Sequence, residues 1–335
     1  ASAMILVTGA GGHLGANLVR RLIASGQPVR AALFDARELP TVKGLDLDLV
    51  FGDLSNPEIA AAAVEGCRQI YHCAGLVSTD FAHPAGIFRA NTIVTRVLLR
   101  AAQARGVERI VVTSSLSAVG QARGRPSTED DPFDPLEPHV PYAIAKTLVE
   151  HDCLTAFTNG LPVVIANPTG IIGPYDFKPS LFGQNLIRFA EGRLFASMIG
   201  GFACVAARDI VQGMLLAMEK GRPGQRYIFD SGYLSFDELM DIFSQVTGRP
   251  KPRLRISLSI LMPLAKASDA FAHMIGLKRE RSFTAGAIRI IQQQQHVDTS
   301  KAQRELGFKP TGLTDAVREA YDWFVSQGLI KAKAA

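Results

Sequence analysis

What this chain has little of narrows it first. Only four cysteines occur in 335 residues, Cys67, Cys73, Cys153 and Cys204. They are spread through apolar surroundings without close metal-type pairing, so buried reduced thiols are expected and no metal site. Long apolar runs are missing too. Gly, Pro or a charge interrupts each one before the roughly 18 residues of a membrane span, so no integral membrane association is expected. No charged, apolar and small-residue leader pattern opens the chain, which reads as cytoplasmic. Met4 directly before a strand pattern reads as a native start, with Ala1-Ser2-Ala3 as an added leader. The net charge of +5 comes from scattered Lys and Arg with no dense basic stripe. That argues against a nucleic-acid partner. No repeat of fixed period is visible.

What is present is a globular composition, 47% hydrophobic and 20% charged, long enough for two domains or one with an appendage. The chain opens with Ile5-Leu6-Val7-Thr8, a short apolar run that breaks at Gly9-Ala10-Gly11-Gly12-His13-Leu14-Gly15 and continues as an amphipathic helix to about Ala24. Strand, glycine turn and helix in that order make a dinucleotide site. Gly9 allows the sharp turn, Gly12 the approach of backbone N–H groups to a pyrophosphate, and Gly15 close packing of helix on sheet. The helix N-terminus at His13 and Leu14 favours the anion.

Further apolar runs at 29–34, 47–54, 69–75, 109–115 and 163–167 read as strands, each separated by a helical pattern. One helix is expected from Ile87 to Arg105 and another from Tyr142 to Thr158. Alternation of this kind calls for α/β architecture, a Rossmann-type doubly wound parallel sheet. We expect this dinucleotide-binding domain over residues 1–168. Beyond Pro168, frequent Gly and Pro suggest a smaller, irregular C-terminal substrate lobe over 169–335, with segments near 204–230 and 290–300 returning to the first domain.

The second strand ends in Phe34, Asp35, Ala36 and Arg37, where an adenosine ribose would lie. Asp35 favours the free ribose of NAD(H) and Arg37 the phosphate of NADP(H); the expectation leans to NAD(H). Asp53 and Leu54 end the third strand, where the acid could bond adenine or serve the entry of the next helix. Ala74 and Gly75 end the fourth strand with small residues that leave room for a cofactor.

Tyr142 and Lys146 stand four apart at a helix start, so their side chains share a face. A phenol titrating near ~10 is a poor base, but an adjacent ammonium and a cationic nicotinamide favour the phenolate. Tyr142 could then exchange a proton with an alcohol or carbonyl. A strand-end hydroxyl, Ser115, would hold the reacting oxygen, with Ser114 and Ser117 as neighbouring hydroxyls easily confused with it.

Together these residues resemble the extended short-chain dehydrogenase/reductases over nearly the whole chain. The matching pieces are Thr8 to Gly15, Gly52-Asp53-Leu54, Asn91, Thr113-Ser114-Ser115, Tyr142 with Lys146, Asn167 to Gly170 with Gly173-Pro174, Asp298 to Ala302, and Leu306 to Pro310. The resemblance implies that Ser115 and Tyr142 are catalytic, that Lys146 also bonds the nicotinamide ribose, that Asp53 contacts adenine, and that Pro168 and Gly170 border the nicotinamide. It further implies a homodimer through the helices at 91–105 and 142–158.

Two branches of that family compete. One, like dihydroflavonol reductases and 3-beta-hydroxysteroid dehydrogenases, moves a hydride on a ring ketone or alcohol; the other, like UDP-galactose 4-epimerase, handles nucleotide sugars. Asn167 fits both as a substrate contact, and Tyr175 is a further candidate. Where sugar enzymes place an Arg for the diphosphate, this chain has Phe202, although Arg188, Arg193 or Arg208 could compensate. The apolar stretch 254–277 suits a lipophilic small-molecule substrate or a membrane surface. A lipophilic substrate is the leading expectation, a nucleotide-sugar epimerase or dehydratase the second, and a cofactor-sensing protein without catalysis the third.

Overall fold

A computed structural model describes residues 4–79, 84–137, 139–275 and 283–331. Ala1-Ser2-Ala3 and the end of the apolar stretch at Leu277 lie outside the described residues.

The first half alternates strand and helix except between β2 and β3, which the 3-10 segment Ala36–Val42 joins in place of the expected helical pattern: β1 (Met4–Thr8), α1 (His13–Ala24), β2 (Val29–Leu33), β3 (Asp48–Phe51), α2 (Pro57–Val64), β4 (Cys67–His72), α3 (Pro84–Phe88), α4 (Val94–Ala104), β5 (Arg109–Thr113), α5 (Pro141–Thr158) and β6 (Val163–Pro168). The second half continues with β7 (Gly170–Ile172), α6 (Leu181–Ala190), β8 (Ala196–Met198), β9 (Gly201–Ala206), α7 (Ala207–Lys220), β10 (Arg226–Phe229), β11 (Gly232–Ser235), α8 (Phe236–Thr247), β12 (Leu254–Ile256), α9 (Leu258–Met274), α10 (Ala285–Gln293), α11 (Ser300–Leu306) and α12 (Leu313–Ser326).

Seven parallel strands form one sheet in the order β10-β6-β5-β4-β1-β2-β3. It is a Rossmann-type α/β fold. Both faces of the sheet are covered, by a cluster including Leu18, Tyr71, Met214 and Phe229 on one side and one including Leu6, Ile70, Leu98 and Val149 on the other. Chain direction across the sheet reverses between β1 and β4, and at such a switch point the strand ends leave a crevice. Gly9 lies there against the end of β4: a Cβ on it would fall 2.6 Å from the Ala74 nitrogen.

The helix expected over 87–105 is interrupted. Arg89–Ile93 forms a π-helical turn between α3 and α4. The extra residue turns the Asn91 amide inward, where its nitrogen donates to the carbonyls of Leu76 (3.0 Å) and Ile87 (2.9 Å). Such turns recur at functional sites, and periodicity alone does not reveal them.

The half beyond Pro168 is more regular than its glycines suggest. It holds a three-stranded sheet, β11-β9-β7, and a two-stranded one, β12-β8. Some of those glycines serve close packing rather than loops: a Cβ on Gly173 would meet that of Ala207 at 2.4 Å, and one on Gly201 would lie 2.3 Å from the Leu234 carbonyl oxygen. The second core, around Phe189, Phe243, Trp323 and Phe324, gathers α6, α8 and α12. β10 returns to the main sheet beside β6, and α7 packs on the first core through Ile210 and Met214.

Candidate active site

The loop after β1 leaves α1 without a side-chain cap, and no acid stands in its first turn. The opening N–H groups of a helix have no partner inside it, so this terminus presents donors and partial positive charge to the crevice. The loop tolerates only glycine where it tightens most. Gly9 has φ of 63°, and a Cβ on Gly15 would stand 2.1 Å from the Gly9 carbonyl oxygen. A diphosphate fits this uncapped cradle.

Ser115 follows the end of β5, and Tyr142 and Lys146 lie in the first turns of α5. The Tyr142 phenol stands by the Ser115 hydroxyl; burial pushes its pKa up to about 12, and the Ser115 hydroxyl acts the other way. The Lys146 ammonium lies 5.8 Å from the centroid of the Tyr142 ring and donates to the Thr113 carbonyl at 2.9 Å. Burial lowers its pKa to about 8, with Cys153, Cys73 and Glu150 acting the other way. It remains mostly cationic at neutral pH. Next to it, a Cβ on Gly75 would meet Asn91 Oδ1 at 2.7 Å and Lys146 Nζ at 3.3 Å. Asn91 Oδ1 is buried without a hydrogen-bond partner.

Ser114 is told apart from Ser115 by direction. Its hydroxyl donates to Glu150 Oε1 at 2.6 Å in the core, whereas Ser115 Oγ lies 3.2 Å from Ser117 Oγ on the crevice side with Tyr142.

The family model of the NAD dependent epimerase/dehydratase family matches residues 5–229. The chain belongs to this family. Sterol demethylase protein B of Methylococcus capsulatus is 37% identical over 97% of this chain and 99% of that protein. A putative dihydroflavonol 4-reductase of Synechocystis is 31% identical over 98% and 96%. Among solved structures, that of gox2253 superposes with a TM-score of 0.85 at 31% identity, covering 98% of this chain and 100% of the other. The family is of the extended short-chain dehydrogenase/reductase type, and its members work with a nicotinamide dinucleotide.

At the adenosine end of this family member, the two opposing sequence signals meet each other. Arg37 pairs with Asp35 through Nε at 2.9 Å and also through Nη2, and Asp35 accepts from the Arg37 backbone. Phe34 is exposed, and its backbone N–H donates to Glu38 Oε2 at 2.9 Å. Glu38 also lies against Gly11, where a Cβ would meet it at 2.9 Å. Asp53 is tied to the Ser55 N–H (2.8 Å) and to Arg89 (3.0 Å), while Leu54 is packed into the core. Ala74 donates its N–H to Thr8 Oγ1 at 3.2 Å. His13 turns its ring to the Gly173 carbonyl at 3.2 Å, so its side chain braces the second half while its backbone opens the helix.

The expected substrate residues separate. Asn167 is wholly buried; its amide nitrogen donates to the Ser115 carbonyl (2.9 Å) and Glu150 Oε1 (2.6 Å), and its Oδ1 has no hydrogen-bond partner. Tyr175 packs on Trp323 and under the Arg20 guanidinium, 4.2 Å from its ring centroid, between α1 and α12. Phe202 on β9 places its ring 3.5 Å from where a Gly170 Cβ would be, immediately after Pro168 and Thr169. Of the cations that could have replaced a diphosphate-binding Arg, Arg208 is bound to Thr311 and Glu319, and Arg193 to Glu191. Arg188 is exposed on α6.

Several residues at this site are invisible to motif reading. His72, at the end of β4, bridges the hydroxyls of Thr8 (2.7 Å) and Thr95 (2.8 Å), and Thr95 in turn donates to the Asn91 carbonyl at 2.7 Å. Burial and the nearby Lys146 charge lower the His72 pKa to about 3, which keeps the ring neutral. Glu150, one turn after Lys146, gathers Ser114, Asn167 and Arg226. The available signal was polar residues at positions where the helix or strand period demands burial.

Proposed function

We propose that this family member interconverts a ketone and a secondary alcohol on a moderately lipophilic, ring-containing small molecule, with NAD(H) as hydride carrier. The observation that carries the reading is the buried Tyr142 phenol, beside the Ser115 hydroxyl and one turn from the Lys146 ammonium. Gly9, Gly12, Gly15 and the α1 terminus would hold the diphosphate, Lys146 and Asn91 the ribose next to the nicotinamide, and Asp35 or Glu38 the adenosine ribose. When bound, the nicotinamide supplies or takes up the hydride.

In the reducing direction Tyr142 gives its proton to the carbonyl oxygen, and Ser115 donates a hydrogen bond to the same oxygen. Burial keeps the phenol protonated at neutral pH, so the proton is present to be given. The Lys146 ammonium offsets the phenolate left behind. Asn167 and Glu150 act one layer below, fixing the Ser115 backbone and the base of α5.

Phe202 in place of a cation, with Arg193 and Arg208 engaged elsewhere, supports an apolar substrate over a nucleotide sugar. Relatives named for sterol demethylation and, at 27% identity, for 3-beta-hydroxysteroid dehydrogenation support a fused-ring ketone or alcohol. Exposed Ile144 and Leu148 on α5, with Ile93 beside α4, support pairing of two copies through those helices. The test is turnover of added cofactor with a panel of cyclic ketones, cyclic alcohols and nucleotide sugars. Net oxidation of NADH by a cyclic ketone is expected; conversion of a nucleotide sugar without net cofactor consumption would replace this reading.

A further inference from the structure

Helix α9 is apolar on two faces, set about 120° apart around its axis. One face, Leu261, Ala265 and Ala272, is buried, with Leu261 and Ala265 packed against Ile288 of α10. The other carries Ile260, Leu264, Phe271 and Met274, which are 59%, 56%, 60% and 74% exposed. Their spacing, with Ala267 between Leu264 and Phe271, places them in one continuous stripe along the helix. A protein rarely leaves such a stripe in water without a use.

Charge indicates what covers it. The sequence from 251 to 281 has seven Lys or Arg against two acids, so the chain's whole excess of +5 falls in this stretch and the remainder is balanced. Lys251 and Arg255 are paired with Asp241 and Asp237 of α8; Lys266 is exposed on α9 beside the stripe. Two copies of such a segment repel each other, whereas an anionic lipid surface attracts it. An apolar helix face within a stretch of net positive charge is the pattern of an element lying in the interface of a bilayer.

We propose that the outer face of α9 seats the protein on anionic lipid, as a peripheral contact. No helix among the described residues is long and apolar enough to cross a membrane. The seat is close to the candidate active site: α10, packed on α9, places Gly286 where a Cβ would lie 2.1 Å from the Thr79 carbonyl oxygen and 2.8 Å from Val140, the residue preceding α5. This surface reading stands apart from the substrate reading, because lipid binding is measured without turnover.

The experiment floats the full chain with phosphatidylcholine vesicles, with and without about a quarter phosphatidylglycerol. The wild-type chain is expected on the anionic vesicles, with weakened binding at high salt. The double variant Leu264→Asp, Phe271→Asp, altered only at exposed positions, should lose about a hundredfold in partitioning, since each large apolar side chain transferred contributes about tenfold or more. Its unfolding midpoint and light-scattering mass are measured alongside. Failure of the wild-type chain to bind either vesicle overturns the proposal, as does binding unchanged in the folded variant. A change in mass from dimer to monomer in that variant also overturns it, because the stripe would then be covered by a second copy.

Discussion

Lys146→Met should stabilise the protein at neutral pH while abolishing turnover. In the folded chain burial lowers the Lys146 pKa from 10.5 to about 8. At 1.36 kcal/mol per pH unit, holding this cation in the protein costs about 3 kcal/mol wherever both folded and unfolded chains are protonated. Methionine fills a similar volume without that cost. It forfeits the bond to the Thr113 carbonyl, worth about 1 kcal/mol, so the net gain is about 2 kcal/mol. The sign with pH follows. Below about 8 the folded chain carries the proton and the full penalty applies; between 8 and 10.5 only the unfolded chain binds it, so wild-type stability rises with pH relative to the variant. Above 10.5 the difference vanishes, and the variant retains only the loss of its hydrogen bond. Denaturant unfolding of both proteins at about pH 7 and about pH 10, without added cofactor, measures the gap at each. A variant less stable than wild type at neutral pH, or a gap that does not shrink as pH rises, would refute the account of Lys146 as a functional cation held at a stability cost.

Tyr142→Phe should lower turnover by about a thousandfold or more, because a general acid is removed, while NADH affinity stays within about twofold; stopped-flow and binding titrations check the two separately. NADH should be preferred over NADPH by about tenfold, because the Asp35 and Glu38 carboxylates beside Phe34 can accept from a free 2'-hydroxyl, while the cations nearest them, Arg37 and Lys178, are already paired with them; competitive binding measures it, and a large preference for NADPH would transfer the role to Arg37. Gly15→Ala should abolish dinucleotide binding, since its Cβ would stand 2.1 Å from the Gly9 oxygen, with circular dichroism separating a lost loop from a lost fold. Leu148→Arg should leave the subunit folded and shift a dimer to a monomer in light scattering; a mass unaffected by the change removes α5 from the interface.

Much of the core was legible because each layer had a local cause. Alternating apolar runs and helical periods specify parallel strands with covered faces, and Gly9, Gly12 and Gly15 specify a loop through the absence of side chains. Asn56 with Pro57 marks the start of α2, and Asn56 accepts from the Glu58 N–H as that pattern requires. The end of the second strand was readable only as a conflict. Asp35 and Arg37 resolve it by pairing with each other, while Glu38, four residues past Phe34, turns back to the Phe34 N–H. A turn that brings i and i+4 together in this way is set by the short 3-10 segment Ala36–Val42, which composition does not announce.

By itself the sequence determined the cofactor class and the succession of parallel strands along the chain, and it put forward Ser115, Tyr142 and Lys146 as candidates for proton transfer, since these depend on neighbours within one turn or one loop. Tertiary structure alone decided which serine faces the crevice, that Asn167 supports Ser115 from below, that the π-helical turn presents Asn91, and that His72 ties β1 to α4. Each of those rests on residues from separate strands and helices meeting in a buried space, where a polar atom must find a partner wherever the fold happens to bring one. The stripe on α9 belongs to the same class: its apolar residues were visible in the chain, and only packing showed which of them face inward and which are left to solvent.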